Sequence, residues 1–425
     1  MRVEITPSKI NGTITAPSSK SLTHRAIICA SLANGKSVIT NANICDDTIA
    51  TIYAMRALGA RIDIIGSKLV VKGMDLEKKE GDVRLVVDSS ASTLRFVLPL
   101  ATHLYDQAII KVNRDLMKRP FKVYEDLYSQ KGFELRKVKS PKINRMFASG
   151  DVDQKVYTID ASESSQYVSG LLFLAPLLSH TTKIELVGDI VSKSYIDLTL
   201  AVLAKYGIKV KMEDNILTIK GNQKYKAKNY AVEGDWSLAA NYLALGAVCG
   251  KVTVNGLNVE SAQCDAEFLN VLKRMCANVT VEGKRVTTLK SDLMATDIDL
   301  TDNVDLAMPF SFVNAFALGG SRISNAHRLE AKESDRKKEI VETLKKFNLV
   351  ASFDKDNIYI APGEAKIEQK EVLKSKDHRI LMLMMLLTAA SQTKVIIDDA
   401  SGLNKSYPRF LDDMKKLGVK YKVLA

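Results

Sequence analysis

The sequence is short of cysteine, and the little it has is scattered. Cys29, Cys45, Cys249, Cys264 and Cys276 form an odd set with no C-x-x-C pair. That spacing argues against a disulfide framework or a zinc site and suits a reducing compartment. Aromatic residues make up only 6% of the chain and no long basic tail is present, which leaves nucleic acid the weaker class of partner. Long hydrophobic runs are missing as well. The most apolar stretch, ILMLMMLLTAA at 380–390, falls well short of the roughly 20 residues of a membrane span and reads as a buried, Met-rich core helix. The opening MRVEITPSK has no apolar region of the secretory kind, so a cytoplasmic location is expected. A nucleotide cofactor has no support either. LANGKS at 32–37 ends like a P-loop, but Ala30 stands where that motif needs a glycine, and a helix precedes it where a strand should. There is no G-x-G-x-x-G.

What is present fits a globular protein with acidic partners. The chain of 425 residues is 46% apolar and 26% charged, long enough for two domains. Its 61 basic residues outnumber 49 acidic ones, giving +12. Such an excess suits phosphorylated or carboxylated metabolites, nucleic acid or a membrane surface.

One local pattern recurs: a helical segment, a turn-forming residue, then a short alternating strand. It appears at Gly59, Gly132, Gly207, Cys276, Asn348 and Gly418, spaced by 73, 75, 69, 72 and 70 residues. Gly or Asn after a helix accepts the left-handed conformation that ends it, and the alternation that follows marks a half-buried strand. Six similar units, three in each of two related domains, fit the length. The linkers are expected near Ile14–Pro17 and Ala231–Gly234. The charged stretch 139–155 reads as a surface loop or strand connection.

Basic residues beside hydroxyls and carboxylates gather in several clusters. PSSKSLTHR at 17–25 predicts a helix starting near Ser19–Thr23, its N–H groups aided by Lys20 and Arg25 in holding phosphate or carboxylate. SSASTLRF at 89–96 leads into a helix with Arg95 in its first turns. Arg119, before a proline, belongs to a loop. Ser164, Ser165 and Gln166 open a strongly apolar helix whose polar end faces a cleft, and SKSYIDLTL at 192–200 repeats the theme. In NAHRLEAKESDRKKEIVETLKKF, 325–347, Lys332 and Arg336 are four apart and share a face if helical, with Glu333 three before Arg336. A solvated charged helix is the plain reading of that segment. Asp377, His378 and Arg379 stand at the mouth of the most apolar helix, and Lys405 follows in GLNKSYPRF.

With SKSLTHR, SSQYVSGLL, VSKSYID, AKESDR and DHR in this order, the chain resembles the 5-enolpyruvylshikimate-3-phosphate synthases, members of the enolpyruvyl transferases. The resemblance implies an α/β fold of two similar domains, each of three βαβαββ-type units, forming an inside-out α/β barrel. The domains would be 1–15 with 232–425, and 16–231, with the active site in the cleft between them. It implies transfer of the enolpyruvyl group of phosphoenolpyruvate to the 5-hydroxyl of shikimate 3-phosphate, on the route to chorismate and the aromatic amino acids. No metal or organic cofactor is implied, nor a membrane or nucleic-acid partner, and a monomer is expected.

By the same resemblance Lys20, Ser21, Arg25, Ser164, Ser165, Gln166, Ser192, Tyr195, Asp305 and Lys332 hold shikimate 3-phosphate. Phosphoenolpyruvate falls to Lys20, Ala91, Arg119, Gln166, Arg336, His378, Arg379 and Lys405. Asp305 takes the hydroxyl proton, and Glu333, or Lys20, serves the methylene carbon. Ala91 stands where the family has a glycine at the phosphoenolpyruvate site, which implies low sensitivity to glyphosate. Arg328 replaces an Asn found in some members. The alternatives are the sister UDP-N-acetylglucosamine 1-carboxyvinyltransferase, whose reactive cysteine has no counterpart between residues 100 and 130, and a non-enzymatic anion-binding protein.

Overall fold

The computed structural model describes residues 1–119, 121–128, 134–139, 144–330, 332–367 and 372–424. The chain divides into two compact units, Met1–Pro17 with Glu233–Ala425, and Ser18–Val232. Each has its own hydrophobic core.

Six four-stranded sheets carry the architecture, three in each unit. All six follow one plan: an edge strand runs parallel to its neighbour, and two further strands continue antiparallel. In the Ser18–Val232 unit, Lys79–Asp88 pairs parallel with Tyr105–Val112, which pairs antiparallel with Asn144–Ser149, then Glu134–Val138. In the other unit, Ile10–Thr15 lies parallel to Gly250–Asn255, followed antiparallel by Arg285–Leu289 and Asn278–Glu282. The parallel step needs a crossover, and the helix Ala91–Leu104 supplies it for the first of these sheets. As with Ile10–Thr15, two more sheets are completed by distant chain. Asn229–Ala231 joins Lys36–Thr40, and Arg2–Thr6 inserts between Val395–Ile397 and Lys420–Leu424.

The helix-to-strand joints explain the repeat. Gly59, Gly207 and Gly418 have φ of 119°, 85° and 97°, and Asn348 has 58°. Cys276 adopts the same conformation at φ 61°, where a side chain costs about 1–2 kcal/mol. Gly132 lies outside the described residues. Part of 139–155 departs from the loop reading: Asn144–Ser149 is a strand, alternately buried, because Met146 and Ala148 face the core. Residues 140–143 lie outside the described set.

Each unit has helices buried on nearly every side. Ala91–Leu104 and Ser165–Leu174 pack so closely that a Cβ on Gly170 would stand 2.2 Å from the Arg95 carbonyl oxygen. The Met-rich stretch forms His378–Ala390, buried from His378 through Ala389. A helix apolar all round belongs in a core, and each of its Leu and Met side chains contributes about 1.5–3 kcal/mol by burial. Among the described residues no helix is long and apolar enough to cross a membrane.

Candidate active site

The buried helices begin differently in the two units. In Ser18–Val232 their N-caps are serines: Ser19 accepts from Leu22 N, Ser90 from Thr93 N and Ser164 from Gln166 N, each at 3.3 Å. A serine satisfies one N–H without adding charge, so the positive end of the helix stays available to an anion. In the other unit Ala307–Ala315 starts without a side-chain cap, and the two longer buried helices are capped by aspartates. Asp235 accepts from Leu238 N and Asp377 from Arg379 N, both at 2.9 Å. A buried carboxylate needs a cation as well as a helix end, and Asp377 has one.

In the serine-capped unit, Lys20 opens the Lys20–Leu32 helix, and its Nζ donates to Asp47 Oδ2 at 2.7 Å. Asp47 sits in the first turn of Asp46–Leu58 and is 4% exposed. The Ser21 carbonyl accepts from Arg25 Nη1 at 2.9 Å. Arg25 Nε donates to Thr199 Oγ1 at 2.8 Å and Nη2 to the Tyr195 carbonyl at 3.0 Å, while the guanidinium lies over Phe96. Arg25 thus ties the Lys20–Leu32 helix to Lys193–Lys205, and burial lowers its pKa to about 10. Three of its five N–H donors are committed in this way.

Around a second centre, Arg95 Nη1 donates to Gln166 Oε1 at 2.8 Å, and Gln166 Nε2 donates to Ser92 Oγ at 2.9 Å. The Gln166 amide is therefore oriented from both ends. Ala91, 6% exposed, is the first residue of that helix. Ser165 is buried at the start of its own helix. Ser192 precedes Lys193–Lys205 in the left-handed region at φ 54°, a strain of about 1–3 kcal/mol that clusters at functional sites. Arg119 is half-buried in extended backbone after the short Arg114–Lys118 helix, a loop position as expected.

The aspartate-capped unit holds an interlocked set of charges. Arg336, 2% exposed, donates through Nε to Asp377 Oδ2 at 2.7 Å and through Nη2 to Asp377 Oδ1 at 3.2 Å. Its Nη2 also meets Glu333 Oε2 at 2.6 Å, and Nη1 meets Asp305 Oδ1 at 3.4 Å. Burial alone would lower the arginine pKa, but Asp377, Glu333 and Asp305 together hold it above the ordinary value. Asp305 Oδ2 lies 2.9 Å from Arg379 Nη2, which also donates to Ser237 Oγ at 2.9 Å. His378 is buried beside Asp377. Lys332 is half-buried, and its pKa falls to about 8: burial lowers it, Arg328 and Arg336 add to this, and Asp305 and Glu333 oppose. Lys405 ends a short turn, Ser401–Lys405. Arg328 Nη1 donates to the Leu300 and Thr301 carbonyls.

The reading of 325–347 needs correction here. The helix is Arg336–Lys346, so Lys332 and Glu333 precede it and share no helical face with Arg336. Asp335 caps at Lys338 N, fixing the start. Nor is its first residue solvated, because Asp377 draws Arg336 inside. The sequence reading also missed Asp47 as partner of Lys20, Asp377 as partner of Arg336, and Ser237 as partner of Arg379. It missed the chain from His24 Nδ1 to Thr51 at 2.7 Å, Thr51 to Thr93 at 2.6 Å and Thr93 to Ser90 at 2.8 Å. Nothing local marks these residues, since each acts across 27 or more positions except the last. Among the described residues no three His, Cys, Asp or Glu side chains group as a metal set.

Six like-built sheets around buried helices define an architecture shared with enolpyruvyl transferases. An EPSP synthase structure from Acinetobacter baumannii superposes with a TM-score of 0.79 at 20% identity, over 99% of this chain and 100% of that one. The enolpyruvyl transferase NikO from Streptomyces tendae gives 0.79 at 16% identity, over 99% and 98%. These likenesses define the fold. The chain belongs to the EPSP synthase (3-phosphoshikimate 1-carboxyvinyltransferase) family, whose model matches residues 5–414. Relatives named 3-phosphoshikimate 1-carboxyvinyltransferase include one from Clostridium perfringens (strain ATCC 13124), 36% identical over 420 residues and 98% of both chains. Another, from Clostridioides difficile (strain 630), is 35% identical over 98% of this chain and 97% of its own.

Proposed function

We propose that the protein transfers the enolpyruvyl group of phosphoenolpyruvate to the 5-hydroxyl of shikimate 3-phosphate and releases inorganic phosphate. The observation that carries this reading is the Asp305–Arg336–Glu333 constellation with Arg379. Two carboxylates suited to proton transfer contact the arginines suited to clamping a small anion.

In this reading, Arg336, Arg379 and Lys405, with Arg119 and His378, receive phosphoenolpyruvate. Its carboxylate and phosphate take the guanidinium faces that Glu333 and Asp305 occupy here, freeing both carboxylates for chemistry. Ser164, Ser165, Ser192, Ser21 and Arg25, with Tyr195, receive the shikimate phosphate, and Lys332 is assigned to the same substrate. Gln166 and Lys20 serve both ligands. Asp305 accepts the 5-hydroxyl proton as that oxygen bonds to C2 of phosphoenolpyruvate. Glu333, protonated once it leaves Arg336, delivers its proton to C3, giving a tetrahedral adduct. Glu333 then takes a proton back from C3 as the C2–O bond to phosphate breaks, and the departing phosphate carries off the proton held by Asp305. Positioning and general acid–base transfer supply the rate.

The test is phosphate release from phosphoenolpyruvate with each of two acceptors. Turnover with shikimate 3-phosphate and none with UDP-N-acetylglucosamine supports the reading. The reverse pattern assigns the sister activity, and release with neither, together with salt-dependent anion binding, leaves a binding protein.

A further inference from the structure

Lys405 is a long side chain on a short turn, and an ammonium holds an anion well only if its base is fixed. The turn is fixed from two directions. On one side, a Cβ at Gly402 would stand 2.9 Å from Leu381 Cδ1 and 3.3 Å from the Lys376 carbonyl oxygen, so the turn lies flush on the start of the His378–Ala390 helix. On the other side, Tyr407 N donates to the Leu403 carbonyl at 2.8 Å, closing the turn, and the Tyr407 side chain runs inward.

That side chain is 6% exposed, and its hydroxyl donates to Asp413 Oδ2 in the Phe410–Lys416 helix. Asp413 is 3% exposed, and its other oxygen accepts from Lys416 Nζ at 2.6 Å. The Tyr407 ring meets Tyr242 and Phe410 with centroids 6.3 Å and 6.1 Å away, near edge-on to both. Burial, then Asp413, raise the phenol pKa above its ordinary value, so the hydroxyl remains a donor. Tyr242 lies on Trp236–Cys249, the helix whose Ser237 holds Arg379.

A phenylalanine would fill this aromatic niche with nearly the same volume. Burying a phenol and a carboxylate instead costs desolvation, offset only when their geometry is satisfied. What the polar pair adds over packing is one fixed position for the turn. We propose that Tyr407, bonded to Asp413, is a positioning residue that sets the place of the Lys405 ammonium for phosphoenolpyruvate. This rests on the reading of Lys405 as a phosphoenolpyruvate ligand.

The experiment is steady-state kinetics of Lys405→Met, Tyr407→Phe and the double variant, with both substrates varied and thermal melts in parallel. Tyr407→Phe is expected to raise KM for phosphoenolpyruvate on the order of ten-fold. It should leave kcat and KM for shikimate 3-phosphate within about two-fold. In the Lys405→Met background Tyr407→Phe should add nothing. If Lys405→Met leaves the phosphoenolpyruvate KM unchanged, the role of Lys405 falls and the proposal falls with it, while the acceptor test still stands. If Lys405→Met raises that KM but Tyr407→Phe does not, or the two effects add, Tyr407 only packs and the proposal is overturned. Should Tyr407→Phe not fold, Asp413→Asn, which keeps the volume and weakens the bond, must show the same selective, smaller rise, and its absence overturns the proposal equally.

Discussion

Lys20 Nζ and Asp47 Oδ2 lie 2.7 Å apart, joining the first turns of two helices. The pair explains how an ammonium at a helix start, where the dipole disfavours it, keeps one position. Asp47→Asn should lower kcat/KM by about 10- to 100-fold, by analogy with the loss of partners that orient site ligands. Steady-state phosphate release checks this, and an unchanged kcat/KM would show that Lys20 needs no such anchor.

Asp377 is more deeply committed, because it caps one helix and pairs with Arg336 at the start of another. Asp377→Ala leaves a buried guanidinium with one fewer carboxylate partner. The expected loss is about 3–5 kcal/mol of stability, read from urea unfolding of the isolated variant.

Lys332 predicts a pH dependence. Its folded pKa is about 8 against an ordinary 10.5. The folded protein therefore releases this proton before the unfolded chain does. Stability attributable to Lys332 rises between about pH 8 and 10.5 and is flat outside that window. In the folded protein its charge is half lost at about pH 8, so KM for shikimate 3-phosphate should climb as pH rises through that value. In Lys332→Arg, which stays charged, the climb should vanish. A flat profile in the parent enzyme would contradict the assignment.

Ala91 is nearly buried at the first turn of its helix. We expect weak inhibition by glyphosate, with Ala91→Gly lowering the inhibitory concentration more than it changes KM for phosphoenolpyruvate. Tight inhibition of the parent, unchanged in Ala91→Gly, would contradict this.

Much of the fold was legible because it repeats. A left-handed joint favours Gly or Asn for local steric reasons, so Gly59, Gly207, Asn348 and Gly418 declare themselves in one dimension. The serine caps were legible for the same reason: Ser19 and Ser164 act within three residues. What stayed hidden acts at long range. Arg336 looked like an exposed helical residue, because nothing within one turn announces Asp377, 41 positions away. Asn144–Ser149 was hidden behind polar residues: Arg145 and Asn144 mask a strand whose alternation shows only at Met146 and Ala148.

The account stands on proton transfer at C3 of the enolpyruvyl group, made and reversed by carboxylates interlocked with arginines. It is tested most directly by running the reaction in deuterium oxide with shikimate 3-phosphate and reading the product methylene by mass spectrometry and proton NMR. Addition followed by elimination places deuterium in that methylene, and Glu333→Gln should suppress turnover and labelling together. A product formed at full rate with no deuterium at C3 would contradict the account, because the bond to the acceptor would then form without protonating that carbon.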